Sequence, residues 1–156
     1  MKAGASILVL FILALGIAAC AAPETPEQRF ANMEKRAAGG DVPAWYTLGL
    51  MYEQGYGVAQ DKFQAVSCYR KAAEKGQVEA QCRLGSVYYH GQGVPKDLQQ
   101  AAEWYKRAAE QGDPQAQVAL GNMYLSGEGV PQDSSKAAYW HKKSFKLKKD
   151  RDLTLD

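Results

Sequence analysis

A pattern of residues returns every 36 positions through most of this chain. Each copy of its first half carries Ala, Leu, Gly and Tyr at the same spacing, at Ala44, Leu48, Gly49 and Tyr52, at Ala80, Leu84, Gly85 and Tyr88, and at Ala116, Leu120, Gly121 and Tyr124. A period of this length is typical of stacked helical hairpins, because one hairpin cannot bury its apolar face without neighbours. We therefore predict an all-α fold, an α/α superhelical solenoid of three 36-residue helical hairpins with an N-terminal capping helix.

The repeats also set the predicted domain organisation. The solenoid covers 26–149, with repeats at 44–79, 80–115 and 116–150, and a flexible tail covers 150–156. Ala37 and Gly40 match Ala73 and Gly76 one period later. Residues 26–40 are therefore interpreted as the second half of a repeat whose first half is missing. This half repeat is expected to form the capping helix, with a capping box of Thr25 and Gln28 at its start.

Within each repeat, the recurring spacing places Ala, Leu and Tyr on one face of the first helix, with a glycine beside them. The loop that follows has two glycines that permit positive φ. The second helices are predicted to have aspartate N-caps, at Asp61, Asp97 and Asp133. Gln64 and Gln100 are placed to complete capping boxes, whereas Lys136 is not. The last repeat lacks the glycine stop of the others, so its second helix is expected to continue into the charged C-terminal segment.

Residues 1–19 have the features of a secretory signal peptide, with Lys2 before an apolar stretch from Ala5 to Ala19 that is short for a membrane span. The stretch ends in Ile-Ala-Ala-Cys, which resembles a bacterial lipobox. We expect cleavage before Cys20, lipid on its thiol, and a tether over 20–25. The residue after Cys20 is not Asp, and this favours the outer membrane, facing the periplasm. The alternative is ordinary cleavage after Ala21 or Ala22 and a soluble periplasmic protein.

Net charge and cysteine content bear on the class of partner and on a possible disulfide. Removal of 1–19 takes away only Lys2 from 19 basic and 17 acidic residues, so the mature chain stays near neutral and nothing indicates nucleic acid. The basic residues at 142–151 are interpreted as a solvated helix end that complements the helix dipole. Two cysteines remain besides Cys20. Cys68 and Cys82 are a possible disulfide in an oxidising compartment, although the helical wheel places Cys82 away from the apolar face.

The run Ala-Ala-Glu-Trp-Tyr-Lys-Arg-Ala-Ala at 101–109, then Gly-Asp-Pro at 112–114 and Ala-Leu-Gly at 119–121, resembles the Sel-1-like repeat, a relative of the tetratricopeptide repeat. The resemblance covers 44–149. It implies an α/α superhelix that acts as a non-catalytic adaptor for another protein. Together with the lipobox-like sequence before Cys20, it predicts an adaptor anchored in the bacterial envelope. Among similar proteins, some lipoproteins are immunity proteins against secreted antibacterial effectors. An envelope assembly scaffold and a weak β-lactam-binding hydrolase are further alternatives.

The candidate binding surface lies on the side of the first helices that faces away from the repeated apolar stripe. Positions there do not repeat, and Glu53, Tyr89 and Leu125 share one of the registers. The predicted protein-binding residues are Leu50, Arg83, Ser86, Tyr89, His90, Asn122 and Leu125. Aromatic, arginine and aliphatic side chains of this kind are typical of interface centres. Trp104 and Trp140 occupy the same slot one period apart and are interpreted as packing residues, while Trp45 packs on the capping helix or is partly exposed.

No catalytic group is apparent. His90 and His141 lie in different repeats and registers, and neither is paired with a nucleophile. The chain has no zinc-binding His-Glu-x-x-His motif, and its Gly-x-Gly loops connect helices rather than follow strands. The sequence therefore predicts no enzyme activity, no catalytic or metal-binding residues and no cofactor.

Overall fold

The computed structural model describes the backbone of residues 23–152 and the side chains of residues 23–145. This part of the chain is all α-helical, as predicted, and contains no strand. Its helices are α1 Pro26–Ala38, α2 Val42–Gln54, α3 Lys62–Glu74, α4 Val78–His90, α5 Leu98–Glu110, α6 Pro114–Ser126 and α7 Ser134–Asp152. The predicted signal peptide 1–19, the predicted lipidation site Cys20 and residues 21–22 lie outside the described residues. No helix between residues 23 and 152 is long and apolar enough to cross a bilayer.

The helices pair in chain order into antiparallel hairpins. Helices α2 and α3, α4 and α5, and α6 and α7 form the three repeats, and α1 packs on α2 as the predicted cap. Each first helix ends at a left-handed glycine, such as Gly91 with φ of 71°. The first helices α4 and α6 also contact each other directly, so they form a common face along the stack.

The core follows the repeated residues. Ala44, Leu48, Leu84 and Leu120 are at most 3% exposed, and the second-helix tyrosines Tyr69 and Tyr105 are buried with them. Each helix glycine of the stripe lies against a ring of the paired second helix. A Cβ on Gly85 would come within 2.6 Å of Tyr105 Cδ1, and one on Gly49 within 2.3 Å of Tyr69 Cε1. The glycines therefore allow the two helices of a hairpin to approach closely enough to bury the ring.

The tryptophans pack as the sequence indicates. Trp140 is buried in the main core, and Trp104 is half-buried against it with the Arg107 guanidinium 4.6 Å from its ring centroid. Trp45 is half-buried against the cluster that contains Ala37 of α1, and Lys71 Nζ lies 4.0 Å from its ring centroid. All three therefore contribute to helix packing.

Successive repeats are joined through the second glycine of each loop. A Cβ on Gly57 would lie 2.1 Å from the carbonyl oxygen of Pro26, and one on Gly129 would lie 2.1 Å from that of Leu98. Pro26 and Leu98 are the first residues of α1 and α5. Each loop therefore sits on the backbone at the start of the preceding second helix, at a distance that excludes any side chain.

The N-caps agree with the sequence, but two of the predicted capping boxes are wrong. The Asp97 carboxylate accepts a hydrogen bond from the Gln100 backbone N–H at 2.9 Å, and the Asp61 carboxylate accepts one from the Gln64 N–H at 3.0 Å. A capping box also needs the glutamine side chain to accept from the backbone N–H of the cap. In both helices the backbone N–H of the aspartate donates instead to the carbonyl of the recurring first-helix tyrosine. For example, the Asp97 N–H donates to the Tyr88 carbonyl oxygen at 2.9 Å. The box is complete only at Thr25 and Gln28 among these three starts.

The last second helix, α7, runs for 19 residues to Asp152, whereas the earlier second helices have 13. This extension agrees with the absence of the glycine stop from the last repeat. The predicted tail at 150–156 therefore begins inside α7, and residues 153–156 lie outside the described part of the chain.

Candidate protein-binding surface

The predicted binding residues are distributed over neighbouring cavities on the first-helix face. Arg83 and Ser86 line a cavity of about 280 Å³ between α4 and α6. Tyr89, His90 and Asn122 line an adjacent cavity of about 190 Å³, and Ala119 borders both. Five of the seven predicted residues are thus brought together along α4 and α6.

The other two predicted residues lie apart from these cavities. Leu50 faces a separate groove between α1 and α2, together with Met33 and Tyr56. Leu125 is 53% exposed on α6. The surface is therefore less continuous than the sequence registers indicated, and its centre is the α4–α6 pair.

Arg83 forms an ion pair that the sequence did not reveal. Its Nε donates to Glu53 Oε2 at 3.1 Å, its Nη2 donates to the other oxygen of the same carboxylate, and Tyr69 Oη donates to Glu53 Oε2 at 2.5 Å. Partial burial raises the pKa of Glu53, but the hydrogen bonds from Arg83 and Tyr69 outweigh it and leave that pKa below its usual value. This ion pair fixes the position of the Arg83 guanidinium and links the first repeat to the second.

Tyr89 is also engaged within the chain. Its hydroxyl donates to Glu128 Oε2 at 2.8 Å, and this hydrogen bond raises the pKa of Tyr89. The ring remains half-exposed, with Lys96 Nζ 5.5 Å from its centroid. The hydroxyl bond fixes the ring orientation and leaves the ring itself for contact with another molecule.

The two histidines have separate structural neighbours. His90 Nδ1 lies 2.9 Å from the Ser86 carbonyl oxygen of its own helix. His141 takes the slot that Tyr69 and Tyr105 occupy in earlier repeats, and its Nε2 lies 3.0 Å from Asn122 Oδ1. Between residues 23 and 145, no group of three or more His, Cys, Asp and Glu side chains is placed to hold a metal ion.

Cys68 and Cys82 are both free thiols, so the possible disulfide between them is absent from the structure. Cys68 is buried with Ala37, Ala44 and Leu48, on the side of α3 that faces the N-terminal end. Cys82 instead faces the next repeat, where burial and the Asp113 carboxylate raise the pKa of its thiol to about 12. The two side chains point into different inter-repeat junctions, which agrees with the helical-wheel placement of Cys82 away from the apolar face.

Buried glutamines are a further feature that the sequence pattern did not identify. Gln81 and Gln117 occupy the register of Trp45, and their amides donate to the carbonyls of Ala73 and Ala109 at 3.1 and 3.0 Å. These carbonyls belong to the last turn of the preceding second helix, and they also accept the backbone N–H groups of Gly76 and Gly112. The glutamines therefore add a second hydrogen bond to the helix end at each junction between full repeats.

Stacked antiparallel helix pairs with an open face of first helices define the class of α/α solenoid repeat proteins. The Sel1 repeat model matches residues 44–77, 78–113 and 114–148, which is most of the chain. The chain therefore belongs to the Sel1 repeat family, as the resemblance indicated. This fold is typical of protein–protein interaction modules, and the family is generally a non-catalytic scaffold that binds other proteins.

Solved structures agree with this assignment. The chain is 40% identical to c5321, a protective antigen of uropathogenic Escherichia coli with this repeat fold, with a TM-score of 0.76 over 78% of this chain and 26% of that one. It is 36% identical to a Sel1 repeat protein of Oxalobacter formigenes, with a TM-score of 0.73 over 78% of this chain and 49% of that one. Cysteine-rich protein B of Helicobacter pylori is 26% identical, with a TM-score of 0.58 over 76% of this chain and 90% of that one. The chain thus spans about a quarter and about half of the first two proteins. No curated protein matches it.

Proposed function

We propose that this chain is a non-catalytic adaptor that binds a protein partner on its first-helix face and is held in the bacterial envelope by lipid on Cys20. The observation that carries the proposal is the contrast between the two sides of the first helices. The inward side repeats Ala, Leu, Gly and Tyr in every hairpin, whereas the outward side carries different residues in each and opens into the cavities between α4 and α6. Solenoids use such a face for binding.

Site-specific photocrosslinking in intact cells tests the surface. A benzophenone amino acid placed at Ser86 or Asn122 reports on the first-helix face. The matched control is Ser67, an exposed residue of the second helix α3. We expect a discrete crosslinked protein from Ser86 and Asn122 and none from Ser67. Crosslinking from Ser67 alone would contradict the proposed surface.

The captured protein also decides between the two roles considered for an adaptor of this kind. A secreted antibacterial effector as the partner indicates an immunity protein. A protein of envelope biogenesis indicates an assembly scaffold. Both outcomes are compatible with the proposed surface.

The lipid anchor is supported by the lipobox-like sequence before Cys20 and by residues 23–25, which precede α1 without regular secondary structure. An anchor at Cys20 would hold the rod at its N-terminal end and leave the α4–α6 face free. Radioactive palmitate labelling tests it. We expect incorporation into the wild-type chain and none into Cys20→Ala, which should also move from the outer membrane fraction to the soluble periplasm. Equal labelling of both chains would contradict the anchor.

A further inference from the structure

The larger of the two cavities between α4 and α6 can accommodate a single side chain. It measures about 280 Å³ and lies between α4 and α6, bordered on its third side by Tyr46 of α2. Pockets for whole drug-sized ligands run from about 300 to 1,000 Å³. This cavity lies just below that range, and it has room for one long side chain of a partner protein.

The charged groups that line the cavity leave it with a negative surplus. Glu79 and Asp113 contribute carboxylates to the lining, and Arg83 contributes the only basic side chain among the described lining residues. The Arg83 guanidinium is already bonded to the Glu53 carboxylate. Cys82 adds no charge, because burial and Asp113 keep its thiol protonated at neutral pH. An incoming cation therefore meets two carboxylates that form no ion pair with a lysine or arginine of the lining, of which Asp113 also caps α6 by accepting the Ala116 N–H.

The first helices as a group carry few basic residues. Among charged residues of the first helices, α2 has only Glu53, α4 has Glu79 and Arg83, and α6 has none. Lysines and arginines are concentrated on the second helices, such as Lys106 and Arg107 on α5. The first-helix face therefore has few lysines or arginines that would repel a cation of a partner or pair with the carboxylates in its place.

Tyr46 supplies an aromatic surface for the same occupant. Elsewhere on the described surface, cations of the chain itself lie over aromatic rings, as Lys71 lies over Trp45 and Lys136 over Tyr124. Within the described residues, Tyr46 makes no such contact and has a half-buried ring at the cavity edge. A guanidinium or ammonium within about 6 Å of its centroid would gain a cation–π interaction.

From the cavity size, the two carboxylates and the Tyr46 ring, over which no cation of the described residues lies, we infer that the cavity between α4 and α6 receives a lysine or arginine side chain of the partner protein. This inference rests on the proposed adaptor function and adds the chemistry of the partner's anchor. The stem of the side chain lies along Ala119 and Tyr105, and its charged end lies between Glu79 and Asp113. Arginine is among the residues most enriched at the energetic centres of protein interfaces.

The test uses the purified mature protein and N-acetyl-arginine methylamide as the probe, followed by ¹H–¹⁵N NMR. The lysine analogue serves as a second cation, and the citrulline analogue serves as the neutral control of nearly the same shape. We expect saturable shifts of the backbone amides of Tyr46, Cys82 and Ala119 with both cations, and none with citrulline. Equal shifts with citrulline, or saturable shifts confined to other helices, would overturn the inference.

Charge-removing variants test the carboxylates. Glu79→Gln keeps the size of an exposed side chain, and Asp113→Asn keeps an oxygen that can cap α6. The control is Glu110→Gln on α5, which removes the same charge from an exposed residue that does not line the cavity. We expect about a two- to fivefold rise in the dissociation constant for the first two variants and no change for the third. An equal rise in all three would show general electrostatic attraction and refute a specific pocket.

The outcome also separates this inference from the adaptor function. If Asn122 still crosslinks a partner while the cation probes fail to bind, the adaptor function stands and the cationic anchor is refuted. If the probes bind in the cavity while no crosslink forms from Ser86 or Asn122, the pocket stands and the adaptor function loses its support.

Discussion

The close contact between Gly85 and Tyr105 makes a strong prediction about stability. In Gly85→Ala, the added methyl would lie 2.6 to 2.7 Å from Cδ1, Cε1 and Cγ of the Tyr105 ring. This is far inside van der Waals contact, and the ring is only 7% exposed, so it cannot simply swing into solvent. The substitution therefore forces the hairpin of the second repeat apart or displaces a core tyrosine.

Two opposing effects set the magnitude. Alanine is more favourable than glycine inside a helix by about 0.8 to 1.0 kcal/mol. Overpacking a well-packed core costs about 1 to 3 kcal/mol, and partial exposure of the displaced ring loses part of the roughly 1.5 to 3 kcal/mol gained by burying a large apolar side chain. The packing cost is the larger of the two. We expect a net loss of about 1 to 2 kcal/mol in the free energy of unfolding.

Urea denaturation followed by circular dichroism at 222 nm measures this loss. A double-mutant cycle with Tyr105→Leu isolates its cause, since leucine vacates the space that the added methyl needs. We expect Gly85→Ala to be better tolerated in the Tyr105→Leu background by about 1 kcal/mol, because contacting residues couple. A Gly85→Ala protein that is more stable than wild type, or a cycle that is additive, would refute the reasoning about close helix approach.

The ion pair, the N-caps and the cysteines each give a further prediction. Because the folded-state pKa of Glu53 is lowered, its ion pair with Arg83 stabilises the protein above the ordinary glutamate pKa of 4.5 and is lost as the pH falls through the folded-state value. Urea melts should therefore show Glu53→Gln to be less stable than wild type by up to about 1 kcal/mol at pH 7, and by a smaller amount at pH 3; an equal deficit at both pH values would contradict this. Asp97→Ala should cost about 1 kcal/mol in the same assay, whereas Asp97→Asn, which keeps an acceptor, should cost less. Thiol titration of the unfolded, non-reduced mature protein with a lipidated Cys20 should detect two thiols, Cys68 and Cys82, and a result of none would show a disulfide.

The architecture was predictable because it depends on residues that act locally and repeat. The Ala, Leu, Gly and Tyr stripe determines which helix faces are buried, and the left-handed glycines determine where the first helices end. The same pattern explains why α7 extends further, since its stop is missing from the sequence. Each of these features requires only the residue type and its position in the period.

The features that escaped prediction depend on contacts between different parts of the chain. The side chain of Gln64 follows Asp61 at the spacing of a capping box, but the Asp61 N–H is taken by the carbonyl of Tyr52. Glu53 and Arg83 pair across 30 positions, in different registers of neighbouring repeats, and no one-period comparison shows this. Their pairing also changes the interpretation of the surface, because Arg83 is a structural link and the cavity beside it has an acidic surplus.

The glycine contacts between loops and preceding helices affect how this protein can change during evolution. Since Gly57 and Gly129 meet main-chain atoms, this particular contact between neighbouring units depends little on which side chains those units carry. Duplication or deletion of one whole repeat would keep the contact between the loop glycine and the preceding second helix. An insertion of a few residues in the loop would displace the glycine from that contact. Outward-facing positions that make no contact between repeats, unlike Glu53 and Arg83, can meanwhile diverge without loosening the stack. Recognition of a new target therefore requires neither a new scaffold nor repair of the old one.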